Sequence, residues 1–173
     1  MFEITLTKTG PTPKLVQREL NSIQREAART MGQVWATRFR QKHFRNAASG
    51  EYGYTPRQGE AGRPGRRGFA QSYTGKKLKK YGHSRPLVLT GESEEATRNP
   101  RIEATATRGQ AKVRVIMNSP GFNRRYAGSP IDMRQELTTV SEREGQELAH
   151  EAGFFIQFVF SKFRAQSTHK VAA

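Results

Sequence analysis

Few side chains in this sequence could carry out catalysis or hold a metal ion. There is no cysteine, and Asp132 is the only aspartate, so the paired aspartates of a two-metal site cannot form, although glutamates could replace them. The nearest approach to a metal-ligand spacing is His150 beside Glu147 and Glu151. A surface histidine among helix carboxylates explains this cluster more simply. We therefore expect no catalytic, cofactor-binding or metal site, and a protein that is not an enzyme.

Interaction chemistry is instead concentrated in a basic segment at residues 46–85, here called the basic arm. Glu60 is the only acidic residue between Tyr52 and Gly91. So polar a segment cannot bury enough apolar surface to fold alone, so we predict that it is extended and that a partner orders it. That partner would be a polyanion, a neighbouring subunit, or both. The basic side chains expected to make this contact are Arg63, Arg66, Arg67, Lys76, Lys77, Lys79 and Lys80.

Aromatic residues are interspersed with these bases. Tyr54, Tyr73 and Tyr81 are predicted to lie at a subunit interface, where tyrosine is enriched. The same pattern suits stacking on single-stranded nucleic acid equally well. No recognition fold with its own signature accompanies the arm, so both interpretations stay open.

Composition limits the remaining choices. The 173 residues carry 30 Lys and Arg against 15 Asp and Glu, a formal net charge of +15, which favours nucleic acid or acidic protein surfaces as partners. The length predicts a single domain over residues 1–173, with a small core because only 34% of the residues are hydrophobic. No segment approaches the ~20 apolar residues of a membrane span, and we expect no signal peptide. We therefore expect a soluble protein that is made in the cytoplasm.

Acidic residues are separated from the basic arm along the chain. Glu144, Glu147 and Glu151 lie near the start of a predicted C-terminal helix. Separate basic and acidic zones can pair across a subunit boundary, so we predict these glutamates at an interface with the arm of a neighbour. A solvated surface with uneven charge is the alternative.

Hydrophobic periodicity predicts an α+β fold: a small antiparallel sheet, a long N-terminal helix and a C-terminal helix, plus the long extended basic arm. Alternation predicts a first strand at residues 2–7, and a glycine turn between two alternating segments predicts a β-hairpin. The predicted elements are a strand at 2–7, a helix at 13–44, a short helix at 92–98, a hairpin at 101–107 and 112–117, and a short strand at 135–140.

The C-terminal helix is expected to begin after Ser141, which with Glu144 has the capping-box pattern. The helix should run to about Phe163 and be followed by a flexible tail at 164–173. It is apolar nearly all round from Gly153 onward. We predict that one face packs in the domain and that the side chains facing another subunit are Phe154, Phe158 and Phe160.

The order of these features resembles bacteriophage virion-morphogenesis proteins of the tail-completion and head–tail-joining type. The residues that carry the resemblance are Tyr54-Thr-Pro-Arg57, Tyr73-Thr-Gly-Lys76-Lys77 and Arg85-Pro-Leu-Val-Leu-Thr90-Gly91, followed by a short helix with Thr97. The leucine that often follows Thr-Gly in those families is replaced by Glu92. The resemblance implies a non-catalytic protein that forms a ring at the neck or tail of a phage particle.

Two functions are therefore carried forward. In the first, the protein is a structural virion component whose partners are copies of itself and adjacent connector, neck and tail proteins, in contact with packaged DNA and with no membrane. In the second, it is a non-enzymatic nucleic-acid-binding protein that coats or compacts DNA. DNA binding alone should weaken steeply with salt and show no fixed stoichiometry.

Overall fold

The α+β prediction is confirmed by a computed structural model, which describes residues 3–7, 14–59, 64–88, 90–107, 109–118, 122 and 130–171. Helices and a three-stranded antiparallel sheet are both present. The elements are β1 (Glu3–Thr7), α1 (Lys14–Val34), α2 (Ala48–Glu51), α3 (Tyr73–Tyr81), α4 (Glu92–Ala96), β2 (Arg101–Thr107), β3 (Gln110–Ile116), α5 (Met133–Leu137) and α6 (Glu142–Val171).

The chain divides into two compact units, whereas the sequence predicted a single domain. The first, here called the sheet unit, contains residues 1–36, 101–116 and 142–173. The second, here called the loop unit, contains residues 37–100 and 117–141. The boundary near residue 36 falls inside a π-helical turn, Trp35–Phe39, which follows α1 and leads into a 3₁₀ helix at Arg40–Phe44. Helical geometry therefore continues to Phe44, as the periodicity predicted, but the α-helix ends at Val34.

The sheet unit is organised around β3, the central strand in the order β1–β3–β2. Its side chains alternate, so that Ala111, Val113 and Val115 are fully buried while the residues between them are exposed. Val113 pairs with Ala104 of β2 and with Ile4 of β1, which places apolar residues opposite one another across the sheet. Helix α1 contacts β2, β3 and α6. The predicted first strand and hairpin are thus confirmed.

The loop unit has little regular structure and a core of aromatic and aliphatic side chains. The buried members of this core are Phe44, Ala48, Tyr52, Tyr54, Leu87, Val88, Phe122 and Leu137. Tyr52 and Tyr54 come from the segment predicted to be an extended arm, and α3 lies in the same segment. The prediction of an extended arm is therefore wrong for these residues, because tyrosine rings supply the apolar area that the composition did not suggest.

Two further predictions differ from the structure. Residues 133–137 form helix α5 instead of the strand predicted at 135–140, because the Asp132 side chain caps the helix by accepting a hydrogen bond from the backbone N–H of Gln135 at 2.9 Å. Helix α6 begins at Glu142, as the capping box predicted, but it continues to Val171 through most of the predicted flexible tail. Thr12 and Pro13, the predicted start of the first helix, lie outside the described residues.

Candidate interaction surfaces

Helix α3 positions most of the basic side chains that the sequence singled out. Ser72 caps its N-terminus, with its hydroxyl oxygen accepting from the backbone N–H of Gly75 at 3.1 Å, and Gly82 ends it in the left-handed conformation, at φ +72°. At Gly75 a Cβ atom would lie 1.9 Å from the carbonyl oxygen of Phe69. Glycine at this position of the Tyr-Thr-Gly-Lys motif therefore allows α3 to pack against the preceding 3₁₀ turn.

One side of α3 is exposed and cationic. Lys76, Lys79 and Lys80 are exposed, and the Tyr73 side chain on the same helix is 47% exposed. Arg66 and Arg67, which precede α3 in the chain, are also exposed. These five basic side chains are accessible to solvent, and their contact with a partner stays a prediction. Arg63, predicted to act with them, lies outside the described residues.

Lys77 is the exception among the predicted contact lysines. Its side chain is buried, its ammonium group donates a hydrogen bond to the carbonyl oxygen of Arg85, and it lies 5.7 Å from the centre of the Tyr73 ring. The lysine therefore stabilises the loop after α3. The sequence could not separate it from its neighbours, since four lysines in five residues must point in different directions around a helix.

Tyr54 and Tyr81 do not form the exposed interface that was predicted. Tyr54 is buried, and its ring is 6.2 Å from that of His43, whose Nδ1 is hydrogen bonded to the Tyr54 hydroxyl. Burial lowers the pKa of His43 to about 4, and a hydrogen bond with the backbone of Glu136 opposes that shift in part. Tyr81 is half-buried and its ring is 6.3 Å from the ring of His83. Tyr54 is thus a core residue of the loop unit.

A buried ion pair in the loop unit was missed by sequence reasoning. Arg57 Nη1 donates to Glu136 Oε1 at 2.9 Å, and Nη2 contacts Oε2. The same carboxylate accepts from the backbone N–H of Thr55 at 3.1 Å, which makes Glu136 the organising acceptor for this part of the chain. The two charged residues are 79 positions apart. No local pattern could have revealed the pair.

Helix α6 presents the apolar surface that the sequence predicted. Phe154 and Phe158 are each 56% exposed, and Phe160 is 47% exposed. Leu148 and Ala152 are buried, as expected of the packed face. At 3.6 residues per turn, Phe154 and Phe158 lie within about 40° of each other, whereas Phe160 lies about 160° round the helix from Phe158. The exposed phenylalanines therefore occupy two different sides of α6.

The three glutamates of α6 that were predicted to lie at an interface divide into one buried and two half-buried side chains. Glu144 is buried, so the prediction that it pairs with a neighbouring subunit is wrong. Glu147 and Glu151 are half-buried, and Glu147 accepts a hydrogen bond from Arg143 Nε at 3.1 Å on the helix surface. His150, which lies beside these glutamates in the sequence, packs edge-on against Phe154, and the two ring centres are 4.5 Å apart.

Three features of the described residues bear on ligand, metal and membrane binding. A cavity of about 130 Å³ in the loop unit is lined by Tyr54, Asp132, Glu136 and six neighbouring residues, and it is smaller than the ~300 Å³ at which ligand pockets begin. Among the described residues no group of three His, Cys, Asp or Glu side chains could hold a metal ion. Within the same residues no helix has the length and apolar character needed to span a membrane.

Comparison with known proteins does not suggest a function for this chain. A scan against protein-family models found no match, and searches of curated proteins and of solved structures found no significant similarity.

Proposed function

We propose that the protein is a structural virion component of a tailed phage that forms a homo-oligomeric ring at the head–tail connector, the neck or the tail end. It would be made in the host cytoplasm and incorporated into the particle, where adjacent connector, neck and tail proteins would be its partners. The proposal combines the resemblance of the sequence motifs with the surfaces described above. It requires no catalytic step.

The observation that carries this proposal is the exposure of large aromatic side chains on α6. Phe154 and Phe158 form an apolar patch on one side of the helix, and Phe160 is exposed on another. Exposed apolar patches mark protein contact sites when they are contiguous. A subunit of a closed ring contacts one neighbour on each side through two different surfaces, and the two exposed sides of α6 fit that requirement.

DNA binding is a second candidate, and one specific observation favours it. Lys76, Lys79 and Lys80 are exposed together on α3 beside the half-exposed ring of Tyr73. Cations beside an aromatic ring are the combination that contacts phosphates and stacks on bases. Lysines that contact DNA are not available to a neighbouring subunit, so the two candidate functions make different use of this helix.

The variant Phe158→Asp tests the ring. We expect the unmodified protein to form a defined oligomer in light scattering and a ring in negative-stain images, and the variant to self-associate at least about tenfold more weakly. Because Phe158 is largely exposed, the variant should remain folded by circular dichroism. Gln146→Asp adds the same charge at an exposed position of α6 about two turns before Phe154 and should assemble normally.

Three outcomes would contradict the proposal. The first is an unmodified protein that stays monomeric at high concentration, and the second is a Phe158→Asp variant that still forms rings. The third is an unfolded variant, which would make Phe158 an ordinary core residue. Steep loss of DNA affinity with salt, without any fixed oligomer, would favour the second candidate instead.

A further inference from the structure

Helices α3 and α6 have similar surface patterns of aromatic and charged residues, with opposite charge and in opposite order along the chain. On α3, Tyr73, Lys76 and Lys80 follow the spacing i, i+3 and i+7, which places all three on one side of a helix. These side chains are exposed, whereas the opposite side of α3 buries Thr74 and Gly75. The exposed side thus begins with an aromatic ring and continues with two positive charges towards the C-terminus.

The reverse order occurs on α6. Phe154, Glu151 and Glu147 follow the spacing j, j−3 and j−7, and Phe158 extends the same stripe by one turn. Phe154 and Phe158 are mostly exposed, and the Glu147 side chain is 43% exposed. Read towards its N-terminus, this stripe begins with aromatic rings and continues with two negative charges.

We propose that α3 of one subunit packs antiparallel against this stripe on α6 of the next copy of the chain. Tyr73 then contacts Phe154 and Phe158, Lys76 lies opposite Glu151, and Lys80 lies opposite Glu147. In each pattern the first and last side chains are seven positions apart, about 10.5 Å along the helix, so both charge pairs form in one register. This inference rests on the proposed ring and names the contact that builds it.

Charge complementarity selects a second copy as the occupant of the stripe. A parallel arrangement would bring the lysines onto the phenylalanines and Tyr73 onto the glutamates. In the antiparallel register, Arg143, which already contacts Glu147, lies beyond the last turn of α3, where a cation is favoured by the unsatisfied carbonyl groups of a helix C-terminus. The contact joins different surfaces on the two subunits, which is the head-to-tail type of contact that a closed ring requires.

The aromatic residues and the charges have different tasks in this contact. Burial of Tyr73 against two phenylalanines supplies affinity, and the exposed ion pairs set register and exclude other partners. One nine-residue helix covers only part of the ~800 Å² per partner that a stable interface buries, so further surfaces take part. Phe160, on another side of α6, lies outside this contact.

Charge exchange between two variants tests the register. One variant carries Lys76→Glu and Lys80→Glu, and the other carries Glu147→Lys and Glu151→Lys. Alone, each would place like charges opposite one another and should self-associate at least about tenfold more weakly than the unmodified protein in analytical ultracentrifugation. Mixed in equal amounts, they should assemble, because every contact between the two variants is again complementary.

Matched controls separate register from net charge. Lys79→Glu with Arg67→Glu changes the same number of exposed charges away from the proposed contact and should assemble normally. Circular dichroism should show every variant folded, because Lys76 and Lys80 are exposed and neither Glu147 nor Glu151 is fully buried.

The outcomes distinguish failure of this contact from failure of the ring. If Phe158→Asp blocks assembly but either charge variant assembles like the unmodified protein, the ring stands and the register is wrong. If both charge variants fail alone and the mixture also fails, the charges do not face one another and the contact is wrong. A monomeric unmodified protein would overturn both the ring and this contact.

Discussion

The two units of this chain bury different kinds of side chain. In the sheet unit the buried residues are apolar, such as Met31, Trp35 and Val113, and Glu144 is the one buried charged residue among those described. The loop unit buries polar and charged side chains in addition to its apolar core. These are Arg40, His43, Ser72, Thr74, Lys77, Thr97 and Glu136.

The difference follows from how each unit satisfies its backbone. Strands and long helices in the sheet unit pair their own N–H and C=O groups, so apolar packing suffices. The loop unit has few such ladders, and cationic side chains take their place. Arg40 donates to the carbonyl oxygen of Glu94 at 3.0 Å and to Thr97 Oγ1 at 2.9 Å, and Lys77 donates to the carbonyl oxygen of Arg85. A buried backbone carbonyl needs such a donor.

This comparison teaches that a basic composition has two uses in one protein. Some of the positive charge is structural and inaccessible, and some, on α3 and in the residues before it, is exposed to solvent. Single substitutions in the loop unit should therefore cost more than equivalent substitutions in the sheet unit.

The largest effect is expected for Arg57→Ala. It would leave the buried carboxylate of Glu136 without its cation, which costs about 3–5 kcal/mol of unfolding free energy. Arg143→Ala breaks an exposed pair with Glu147 in the sheet unit and should cost less than about 0.5 kcal/mol. Urea denaturation measures both values. Similar losses in the two variants would remove the proposed distinction between the units.

A smaller effect is expected from acidification, through His43. Its pKa is lowered to about 4 by burial, so the unfolded chain binds the proton first and stability falls as the pH drops from about 6.5 towards 4. Between pH 7 and pH 5 the loss should be about 2 kcal/mol. Urea denaturation at both pH values measures it. In His43→Asn this part of the pH dependence should disappear, and an unchanged dependence would contradict the assignment.

A third comparison concerns two glycines that lie close to a neighbouring element. A Cβ at Gly75 would meet the Phe69 carbonyl oxygen, which cannot move cheaply, so Gly75→Ala should cost about 1–3 kcal/mol and expose α3 to proteolysis. At Gly32 in the sheet unit a Cβ would meet side-chain methyl groups of Val113 and Ile102 at 2.8 and 2.9 Å. These can shift, and alanine favours the helix, so Gly32→Ala should cost less.

Gly50→Ala is the matched control for both glycines, because nothing lies within 4 Å of a Cβ at that position. It should leave stability and proteolysis unchanged. A Gly32→Ala variant less stable than Gly75→Ala would reverse the expected order of the two units.

The sequence by itself determined the local elements. Alternation predicted β1 and the hairpin, apolar periodicity predicted helical structure through Phe44, and the Ser141 capping box predicted the start of α6. It also predicted that α6 has more apolar residues than one packed face can bury. Phe154, Phe158 and Phe160 are indeed all exposed. Each of these properties depends on residues a few positions apart, which is why it can be read locally.

Only the tertiary structure decided which polar residues are buried. Arg57 and Glu136 meet across 79 positions, Lys77 turns inward while its neighbours stay exposed, and Tyr54 joins a core with Phe44. The strand predicted at 135–140 failed for a related reason, since helix α5 buries Glu136 and Leu137 together. Burial and pairing depend on what the rest of the chain brings to a side chain, and identical residue types therefore acquire opposite roles.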